Sequence, residues 1–268
     1  MSVKICIIGA AGRMGKNIAA AVFNNDNAEA AGAVDRKGSD ALGQNLYEMA
    51  GCGKGGPVIT DDILKGAESA DVIIDFTGAE PTYNNLPMYE KAGKPLVIGS
   101  TGFSAEQKKA IEKLSEKIPV ILAPNMSLGV NVALELIEEA AGLLKGYDIE
   151  LVETHHNKKK DAPSGTAMAM AEAAAKGAGL NLEENAVYAR HGIIGERKPN
   201  EIGIQTLRGG DVAGDHTVFF FGNGERIEIT HRAHSRQTFA QGAVTAAIWL
   251  AGKPKGLYNM KDVLGLKK

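Results

Sequence analysis

Short apolar runs alternate with amphipathic stretches along the first half of the chain. The runs that predict strands, because they are continuous and rich in β-branched or small residues, are Val3–Ile8, Ala28–Val34, Val72–Phe76, Leu96–Ile98 and Val120–Ala123. Helical periodicity follows Gly9 as far as Phe23 and recurs over Tyr83–Ala92 and Ala105–Lys117. Continuous apolar strands that are separated by helices are typical of a parallel sheet covered on both faces. The first half is therefore predicted to be a doubly wound α/β domain.

The pattern changes after Asn125. The predicted elements are a helix at Val130–Leu144, a strand at Tyr147–Glu153, an alanine-rich helix at Thr166–Lys176, strands at Gly203–Leu207, Thr217–Phe221 and Glu225–Thr230, and a final helix at Phe239–Ala251. The last two strands are predicted to form a hairpin across Gly222-Asn223-Gly224. We interpret this half as an α+β domain with a mixed sheet. The glycine-rich segment 38–62 is interpreted as a loop, and the residues after the final helix as a short tail.

Two domains are expected from this change in pattern. Residues 1–126 and 237–268 form the first, because the final helix is expected to return to the parallel sheet, and residues 127–236 form the second. The length of 268 residues allows cores that need neither disulfides nor metals.

Composition excludes several classes of protein. The net charge of −2 gives no basic field that would recruit nucleic acid. Two cysteines are too few for a disulfide framework, which favours a reducing compartment. The first apolar run ends in a glycine turn rather than a cleavage site, and no stretch is apolar over the ~18–20 residues that a membrane span needs. A cytoplasmic protein without membrane or nucleic-acid partners is expected.

A glycine fingerprint follows the first predicted strand. Gly9, Gly12 and Gly15 have the spacing GxxGxxG and precede a helix, and Asp35 ends the second strand 20 positions after Gly15. Glycines at such a turn let backbone N–H groups approach a pyrophosphate, and the acid accepts hydrogen bonds from a ribose. This predicts a Rossmann-like dinucleotide site, the alternative being an ordinary tight turn. Asp35 favours NADH, whereas Arg36 suits the extra phosphate of NADPH unless it is a solvated charge, so both coenzymes stay open.

Two further polar turns follow predicted strands, at 99–102 and 123–126. Ligands of open α/β sheets bind at the carboxyl ends of the strands. Both turns are therefore expected to line the nicotinamide side of the site, unless they are ordinary turns.

The densest group of chemically active side chains is ETHHNKKKDAPSGT at 153–166. Two histidines, three lysines and two acids occur within its first nine residues, and Ser164-Gly165-Thr166 opens a predicted helix. The N–H groups of a helix start attract carboxylates, and lysines beside them suit a dianion. Imidazoles transfer protons near neutral pH.

Simpler interpretations compete within this segment. Lys158 and Lys160 are expected to be solvated. A metal site at His155 and His156 is not expected, because adjacent side chains of an extended segment point to opposite sides and no other ligand cluster accompanies them. Ser164 lacks the flanks of a nucleophilic serine and is expected to cap the helix.

Further polar or reactive residues lie outside the segment 153–166. Arg208–Asp211 and His231–Arg236 are polar strand ends that suit either a pocket or a subunit interface. Cys6 is expected in the core, and His191 and His216 have no assigned place.

Several motifs together resemble the 4-hydroxy-tetrahydrodipicolinate reductase (dihydrodipicolinate reductase) family of bacterial lysine biosynthesis. They are GAAGRMG near the N-terminus, DVIIDFT at 71–77, IGSTGF at 98–103, APNMSLGVN at 123–131, ETHHNKKKDAPSGTA at 153–167 and SRQTFAQGAVTAAIWL near the C-terminus. The element HH-x-x-K-x-D-A-P-S-G-T is the most specific of them, and the resemblance covers essentially the whole chain.

The resemblance implies NAD(P)H-dependent reduction of (2S,4S)-4-hydroxy-2,3,4,5-tetrahydrodipicolinate to 2,3,4,5-tetrahydrodipicolinate, with loss of water, in the diaminopimelate route to L-lysine. It implies that His155 and Lys159 are catalytic, and that His156, Gly165 and Thr166 bind the substrate carboxylates. It implies a homotetramer joined through the sheet of the second domain, and no metal. The implied coenzyme-binding residues are Gly9, Ala10, Ala11, Gly12, Arg13, Met14, Asp35, Gly99, Ser100, Thr101, Ala123, Pro124, Asn125 and Met126. Arg36 is added to them because of its charge beside Asp35.

Two other functions stay open on the sequence alone. A nicotinamide-dependent dehydrogenase acting on another imine or amino acid would share the first domain but would not need a dianion pocket. A redox sensor without catalytic activity would bind the coenzyme, yet it has no use for a proton-donor cluster.

Overall fold

The computed structural model describes residues 2–266. Its strands are β1 (Val3–Ile8), β2 (Ala28–Val34), β3 (Val72–Asp75), β4 (Leu96–Ile98), β5 (Pro119–Leu122), β6 (Asp148–His155), β7 (Ala186–Val187), β8 (Ile202–Arg208), β9 (Gly214–Gly222), β10 (Glu225–Ala233) and β11 (Gly256–Tyr258). Its helices are α1 (Arg13–Phe23), α2 (Leu46–Ala50), α3 (Ile63–Ala67), α4 (Ala79–Ala92), α5 (Ala105–Ser115), α6 (Leu128–Leu143), α7 (Gly165–Ala178), α8 (Leu182–Asn185), α9 (Gln237–Leu250) and α10 (Met260–Val263). The chain divides into two compact units: unit 1 is Met1–Leu128 with Arg236–Lys268, and unit 2 is Gly129–Ser235.

Unit 1 is a doubly wound α/β unit. Within the described residues its sheet has six parallel strands in the order β11-β5-β4-β3-β1-β2. Ile5 and Ile7 of β1 pack in one apolar cluster with α1 and α9, whereas Cys6 and Ile8 pack in another with α4 and α5. Successive side chains of a strand point to opposite faces, so both faces of the sheet are buried. The predicted parallel α/β domain and the buried Cys6 are confirmed.

Helix α9 belongs to unit 1 and approaches its sheet closely. A Cβ on Gly242 would lie 1.7 Å from the carbonyl oxygen of Met126, so only glycine allows the helix to pack against the turn after β5. Ala243, Val244 and Ala247 join the same core cluster as α1. The small residues of this helix thus permit close packing.

Two expectations about unit 1 are wrong in part. The segment 38–62 is not only a loop, because it contains α2 and because isolated bridges pair Asn45 with Val58 and Val34 with Thr60. The residues after α9 are not a tail, since β11 adds a parallel edge strand beside β5 and α10 follows. Helix α2 has five residues and β11 has three, which is too short for a periodic pattern to show in the sequence. The pairing of β11 with β5 is also non-local.

Unit 2 has a mixed sheet, as predicted. Its strands within 129–235 follow the order β10-β9-β6-β8-β7. The central strand β6 pairs parallel with β8 and antiparallel with β9, and the β9–β10 hairpin turns at Asn223–Gly224. Buried residues of α6 and α7 join those of the sheet in one apolar cluster. No helix between residues 2 and 266 combines the length and apolarity that crossing a membrane requires.

Candidate active site

Glycine builds the turn between β1 and α1. Gly9 has a φ of 76°, in the left-handed region where a side chain is strained. A Cβ on Gly15 would lie 2.2 Å from the Gly9 carbonyl oxygen, and one on Gly12 would lie 3.1 Å from it. The three glycines therefore let α1 begin directly against the end of β1.

A cavity of about 670 Å³ lies beside this turn in unit 1. The predicted residues that line it are Gly9, Gly12, Arg13, Met14, Asp35 and Arg36. Lining residues that were not predicted include Lys37, Asp61, Phe76, Thr77, Pro81 and Asn85. Ala10 is buried beneath the turn, and Ala11 contributes its backbone N–H to Asp35.

Asp35 is held in place by backbone donors. Its Oδ2 accepts a hydrogen bond from Ala11 N at 2.7 Å, and its Oδ1 accepts one from Arg36 N at 2.9 Å. Each carboxylate oxygen has further acceptor capacity, which suits ribose hydroxyls. Within the described residues, helix α1 has no side-chain cap and no acid in its first turn, so its N-terminus is suited to an anion. Together with the cations of the cavity, these features fit a dinucleotide.

The turns after β4 and β5 have a different place. Gly99, Ser100 and Thr101 follow β4, and Ala123, Pro124, Asn125 and Met126 follow β5. They lie at the same carboxyl edge of the sheet as Gly9, but the described lining of the cavity does not include them. Ser100 is buried, and its Oγ accepts hydrogen bonds from Gly78 N at 2.9 Å and Thr82 Oγ1 at 3.0 Å.

A buried carboxylate supports the cavity residue Thr77. Asp75, at the end of β3, is fully buried and accepts hydrogen bonds of 2.7 Å from Thr77 N, Thr77 Oγ1 and the Tyr89 hydroxyl. Burial raises the pKa of Asp75, and these hydrogen bonds oppose that rise. Asp75 thereby fixes the conformation of Thr77 at the cavity wall.

In unit 2, sheet register gathers the second group of polar side chains. Residues two apart on a strand share a face, so Glu153 and His155 of β6 point the same way. The register places His216 of β9 and Thr206 of β8 opposite Glu153, and Arg208 of β8 opposite His155. These five residues form what we call the histidine cluster.

Glu153 is the centre of the histidine cluster. It is fully buried, and Arg208 donates to both of its oxygens, at 2.8 and 2.9 Å. Ser164 N donates to Oε1 at 3.0 Å, and His155 Nδ1 lies 2.5 Å from Oε2. Burial alone would raise the pKa of Glu153, but the hydrogen bonds from Arg208, His155 and Ser164 outweigh it and lower this pKa below its usual value.

His216 stays neutral beside this carboxylate. Burial, reinforced by repulsion from His155, lowers the pKa of His216 to about 4. Its Nε2 lies 2.9 Å from Ser164 Oγ, and its ring meets that of His155 edge-on at 5.1 Å. His216 therefore packs against His155 and holds the serine at the start of α7.

The loop after β6 carries the lysines. Lys159 Nζ donates to both oxygens of Asp161, at 2.8 and 2.9 Å, and this interaction lowers the pKa of Asp161. The Lys159 side chain is 18% exposed, whereas Lys158 and Lys160 are exposed as predicted. Arg208 Nη2 donates to the Asp161 carbonyl oxygen at 2.8 Å, which anchors the loop to the sheet.

The start of α7 suits a carboxylate. Ser164 Oγ accepts a hydrogen bond from Ala167 N at 3.0 Å, so the predicted cap is confirmed. A Cβ on Gly165 would meet no described atom within 4 Å, which leaves the approach to the helix N-terminus open there. Thr166 follows in the first turn, whose described residues include no acidic side chain. An anion is stabilised at such a terminus.

Glu153, Arg208 and His216 complete the histidine cluster without a role in the sequence-based prediction. Of these three residues, only Glu153 could have been found from the sequence, because it lies two residues before His155 on the same strand. Arg208 and His216 reach it from 55 and 63 positions away, and only the strand register reveals that. Over residues 2–266, no group of three or more His, Cys, Asp or Glu side chains is placed to hold a metal ion.

Comparisons with known proteins agree with this geometry. Residues 3–126 match the family model described as "Dihydrodipicolinate reductase, N-terminus", and residues 129–264 match its "C-terminus" counterpart. The chain is 52% identical to the 4-hydroxy-tetrahydrodipicolinate reductase of Anaeromyxobacter dehalogenans, covering 98% of each chain, and 50% identical to that of Syntrophotalea carbinolica, covering 99% of this chain and 100% of the relative. A dipicolinate-bound dihydrodipicolinate reductase from Paenisporosarcina superimposes with a TM-score of 0.74 at 25% identity, covering 97% of this chain and 98% of that one.

Proposed function

Because this chain belongs to the dihydrodipicolinate reductase family, we propose which of its residues carry out each part of the family reaction. The chain is an NAD(P)H-dependent oxidoreductase of lysine biosynthesis that reduces 4-hydroxy-tetrahydrodipicolinate. The observation that carries the residue assignment is the histidine cluster, which lies directly beside the capped start of α7.

The balance of the reaction defines what the residues must do. Loss of water removes the hydroxyl group, and one hydride and one proton are added to the ring. The reduced nicotinamide supplies the hydride when it is bound. The chain itself must donate the proton and bind two carboxylates, without a metal.

His155 and Lys159 are the proton donors in this proposal. His155 is an imidazole that is only 9% exposed, and an imidazole exchanges protons readily near neutral pH. Lys159 carries a positive charge that Asp161 supports at 2.8 Å, and it stabilises negative charge that develops on the ring.

His156, Gly165 and Thr166 bind the substrate carboxylates. Gly165 and Thr166 present the N-terminus of α7, and the open space at Gly165 admits a carboxylate group. His156 lies on the loop that leads from β6, where its Nδ1 accepts a hydrogen bond from Lys158 N at 3.2 Å. A dicarboxylate thus meets polar donors on the loop and on the helix.

Residues 1–126 and 237–268 are the dinucleotide-binding domain, and residues 127–236 bind substrate. Both NADH and NADPH are accepted, since Asp35 suits the adenine ribose while Arg36 suits the extra phosphate of NADPH. The coenzyme residues are Gly9, Ala10, Ala11, Gly12, Arg13, Met14, Asp35 and Arg36, with Gly99–Thr101 and Ala123–Met126 on the nicotinamide side.

The second domain also assembles a homotetramer. The face of its sheet that carries Leu207, Phe219 and Phe221 lies opposite the face that contributes to the apolar cluster with α6 and α7. Leu207 is 53% exposed and Phe221 38% exposed, and exposed apolar side chains that share a sheet face favour association. The free cysteines Cys6 and Cys52 support a cytoplasmic location.

The test is oxidation of NADH and NADPH, followed at 340 nm, with 4-hydroxy-tetrahydrodipicolinate generated in situ. We expect rapid oxidation of both coenzymes. Arg36→Ala should raise the KM for NADPH about 10–100-fold, as expected for loss of a charge-assisted hydrogen bond, and should leave the KM for NADH nearly unchanged. Lys65→Ala, which removes a cation of α3, is the control. Binding of coenzyme without oxidation would contradict the proposal, and oxidation only with another imine would favour a different dehydrogenase.

A further inference from the structure

We propose that Glu153 is a positioning residue that fixes the tautomer of His155, and that Arg208 holds Glu153 in the form and orientation this requires. The inference rests on the proposed role of His155 as a proton donor. It adds a reason why this donor presents one particular ring nitrogen to the reaction.

The hydrogen bonds of Glu153 determine where the His155 proton sits. Glu153 Oε1 accepts from Ser164 N at 3.0 Å, Arg208 Nη2 at 2.9 Å and Thr206 Oγ1 at 3.3 Å. Oε2 accepts from Arg208 Nη1 at 2.8 Å and lies 2.5 Å from His155 Nδ1. An ionised carboxylate only accepts hydrogen bonds, so Nδ1 must carry a proton. The imidazolium therefore donates from Nε2, and the neutral ring that remains keeps its proton on Nδ1.

Neighbouring residues hold the ring in this orientation. A Cβ on Gly214 would lie 3.0 Å from His155 Nε2, so a side chain at that position would crowd the reactive nitrogen. His216 meets the His155 ring edge-on, with 78° between the planes. The ring is therefore fixed by packing as well as by Glu153.

Arg208 connects the two proposed proton donors. Its guanidinium binds Glu153 through two nitrogens, a geometry that sets the plane of the carboxylate. The same guanidinium donates to the Asp161 carbonyl oxygen at 2.8 Å, and the Asp161 side chain binds Lys159. A single arginine thus orients the partner of His155 and anchors the loop that carries Lys159.

Replacement of Glu153 by glutamine separates positioning from structural support. A glutamine has one accepting oxygen. The position of Oε1 receives three donors and that of Oε2 receives Arg208 Nη1 besides His155, so the amide oxygen takes the Oε1 position. The amide N–H₂ then faces His155 Nδ1 and donates to it. The neutral ring is forced into the Nε2–H tautomer. A further proton at Nδ1 would face the amide N–H₂, so the imidazolium that donates from Nε2 is disfavoured. In serine proteases, replacing the aspartate that orients the catalytic histidine by asparagine likewise gives the wrong tautomer and abolishes most turnover.

The experiment measures tautomer and turnover together. Solid-state ¹⁵N NMR of the full-length protein, labelled with ¹⁵N-histidine, reports which ring nitrogen is protonated, and Glu153→Gln is compared with the wild type. His155→Gln removes the signal and so assigns it. We expect the Nδ1–H form in the wild type, the Nε2–H form in Glu153→Gln, and a fall in kcat of about 10²–10⁴-fold, with little change in KM.

Glu150→Gln is the matched control. Glu150 lies on the same strand and pairs with Arg190 through two nitrogens, at 2.7 and 2.9 Å, but it points to the other face of the sheet. This variant loses a similar ion pair and should keep both the tautomer and kcat of the wild type. Glu153→Asp keeps an anionic acceptor and should retain the Nδ1–H form even if Glu153→Gln fails to fold.

Two results would overturn the inference. One is a Glu153→Gln protein that keeps the Nδ1–H tautomer and the wild-type kcat, and the other is a Glu153→Asp protein that shows the Nε2–H form. A different failure is recognisable: if folded His155→Gln retains full turnover, the proposed role of His155 itself is wrong, whatever its tautomer.

Discussion

Glu153 and His216 respond to the same burial in opposite ways. Burial disfavours the charged form of each, but Glu153 receives five hydrogen bonds that include two from a guanidinium. Among the described residues, His216 has no comparable set of partners for a positive charge, and it lies against His155. The pKa of Glu153 is therefore lowered and its charge is kept, whereas the pKa of His216 falls to about 4 and its charge is lost.

The stability of the fold should depend on pH through His216. Between about pH 6.5 and 4 the unfolded chain binds a proton at this residue and the folded chain does not, so the free energy of unfolding falls as the pH falls. Above this pH range His216 is unprotonated in both the folded and the unfolded chain, so it has no effect on the free energy of unfolding there. The complete loss is about 3 kcal/mol. His216→Gln, studied by urea unfolding from about pH 4.5 to 7, should remove this part of the slope.

Two features keep that measurement specific. Glu153, whose pKa is lowered in the folded chain, costs stability only when the pH falls below the ordinary pKa of a glutamate and the carboxylate becomes protonated. Burial also lowers the pKa of His231, but His231 is present in both the wild type and the variant. His191→Gln replaces an exposed histidine and should leave the slope as it is. An unaltered slope in His216→Gln would show that His216 does not titrate in this way.

At the scale of elements, the serine caps of α5 and α7 differ in their surroundings. Ser104 caps α5 in an exposed capping box with Gln107. Ser164 caps α7 and is buried, with its hydroxyl also bound to His216. A cap contributes about 1 kcal/mol, and leaving a buried polar group without its partner costs about 1–3 kcal/mol more.

Ser164→Ala should therefore destabilise the fold more than Ser104→Ala. We expect a loss of about 2–4 kcal/mol for the first and about 1 kcal/mol for the second, measured as free energies of unfolding in urea at neutral pH. Equal losses would mean that the contact between Ser164 and His216 adds nothing beyond the cap.

The elements that could be predicted are those with a strong local pattern. Strands β1, β2 and β4 have the predicted bounds, because strands buried on both faces appear as continuous apolar runs. Helix α2 could not be predicted, since its five residues lie in a glycine-rich segment. Strand β11 has three residues, and its pairing with β5 joins segments more than 130 positions apart.

Residues of the candidate site also differ in whether the sequence could predict them. The glycine turn, Asp35, the histidines and Lys159 lie in local motifs and could be predicted as candidates. Arg208 and His216 could not, because their relation to Glu153 depends on strand register. Thr77 also could not be predicted, because it lines the cavity only since β3 lies beside β1 in the sheet.

At the scale of the whole molecule, the proposed tetramer depends on the sheet of unit 2. Phe219 and Phe221 stack at 5.5 Å on the same face as Leu207. A charge placed among these apolar side chains would be buried on association, which is strongly unfavourable without a partner.

Leu207→Asp should therefore dissociate the assembly. We expect the wild type to have four times the 28.2 kDa mass of the chain in analytical ultracentrifugation, and the variant to have a smaller mass. Leu143→Asp is the control, because Leu143 is 77% exposed at the end of α6 and should leave the mass unchanged. A wild type that sediments as a monomer would contradict the proposed homotetramer.

The central claim is that coenzyme binding and proton donation belong to different residues, the first to the cavity beside Gly9 and the second to His155 and Lys159. The most direct test compares kcat and the Kd for NADH in Lys159→Ala and in Lys158→Ala, the exposed neighbour with the same charge. We predict that Lys159→Ala lowers kcat about 10²–10⁴-fold with an unchanged Kd for NADH, and that Lys158→Ala retains both values. Parallel loss of kcat and NADH affinity in Lys159→Ala, or equal effects of the two substitutions, would contradict the account.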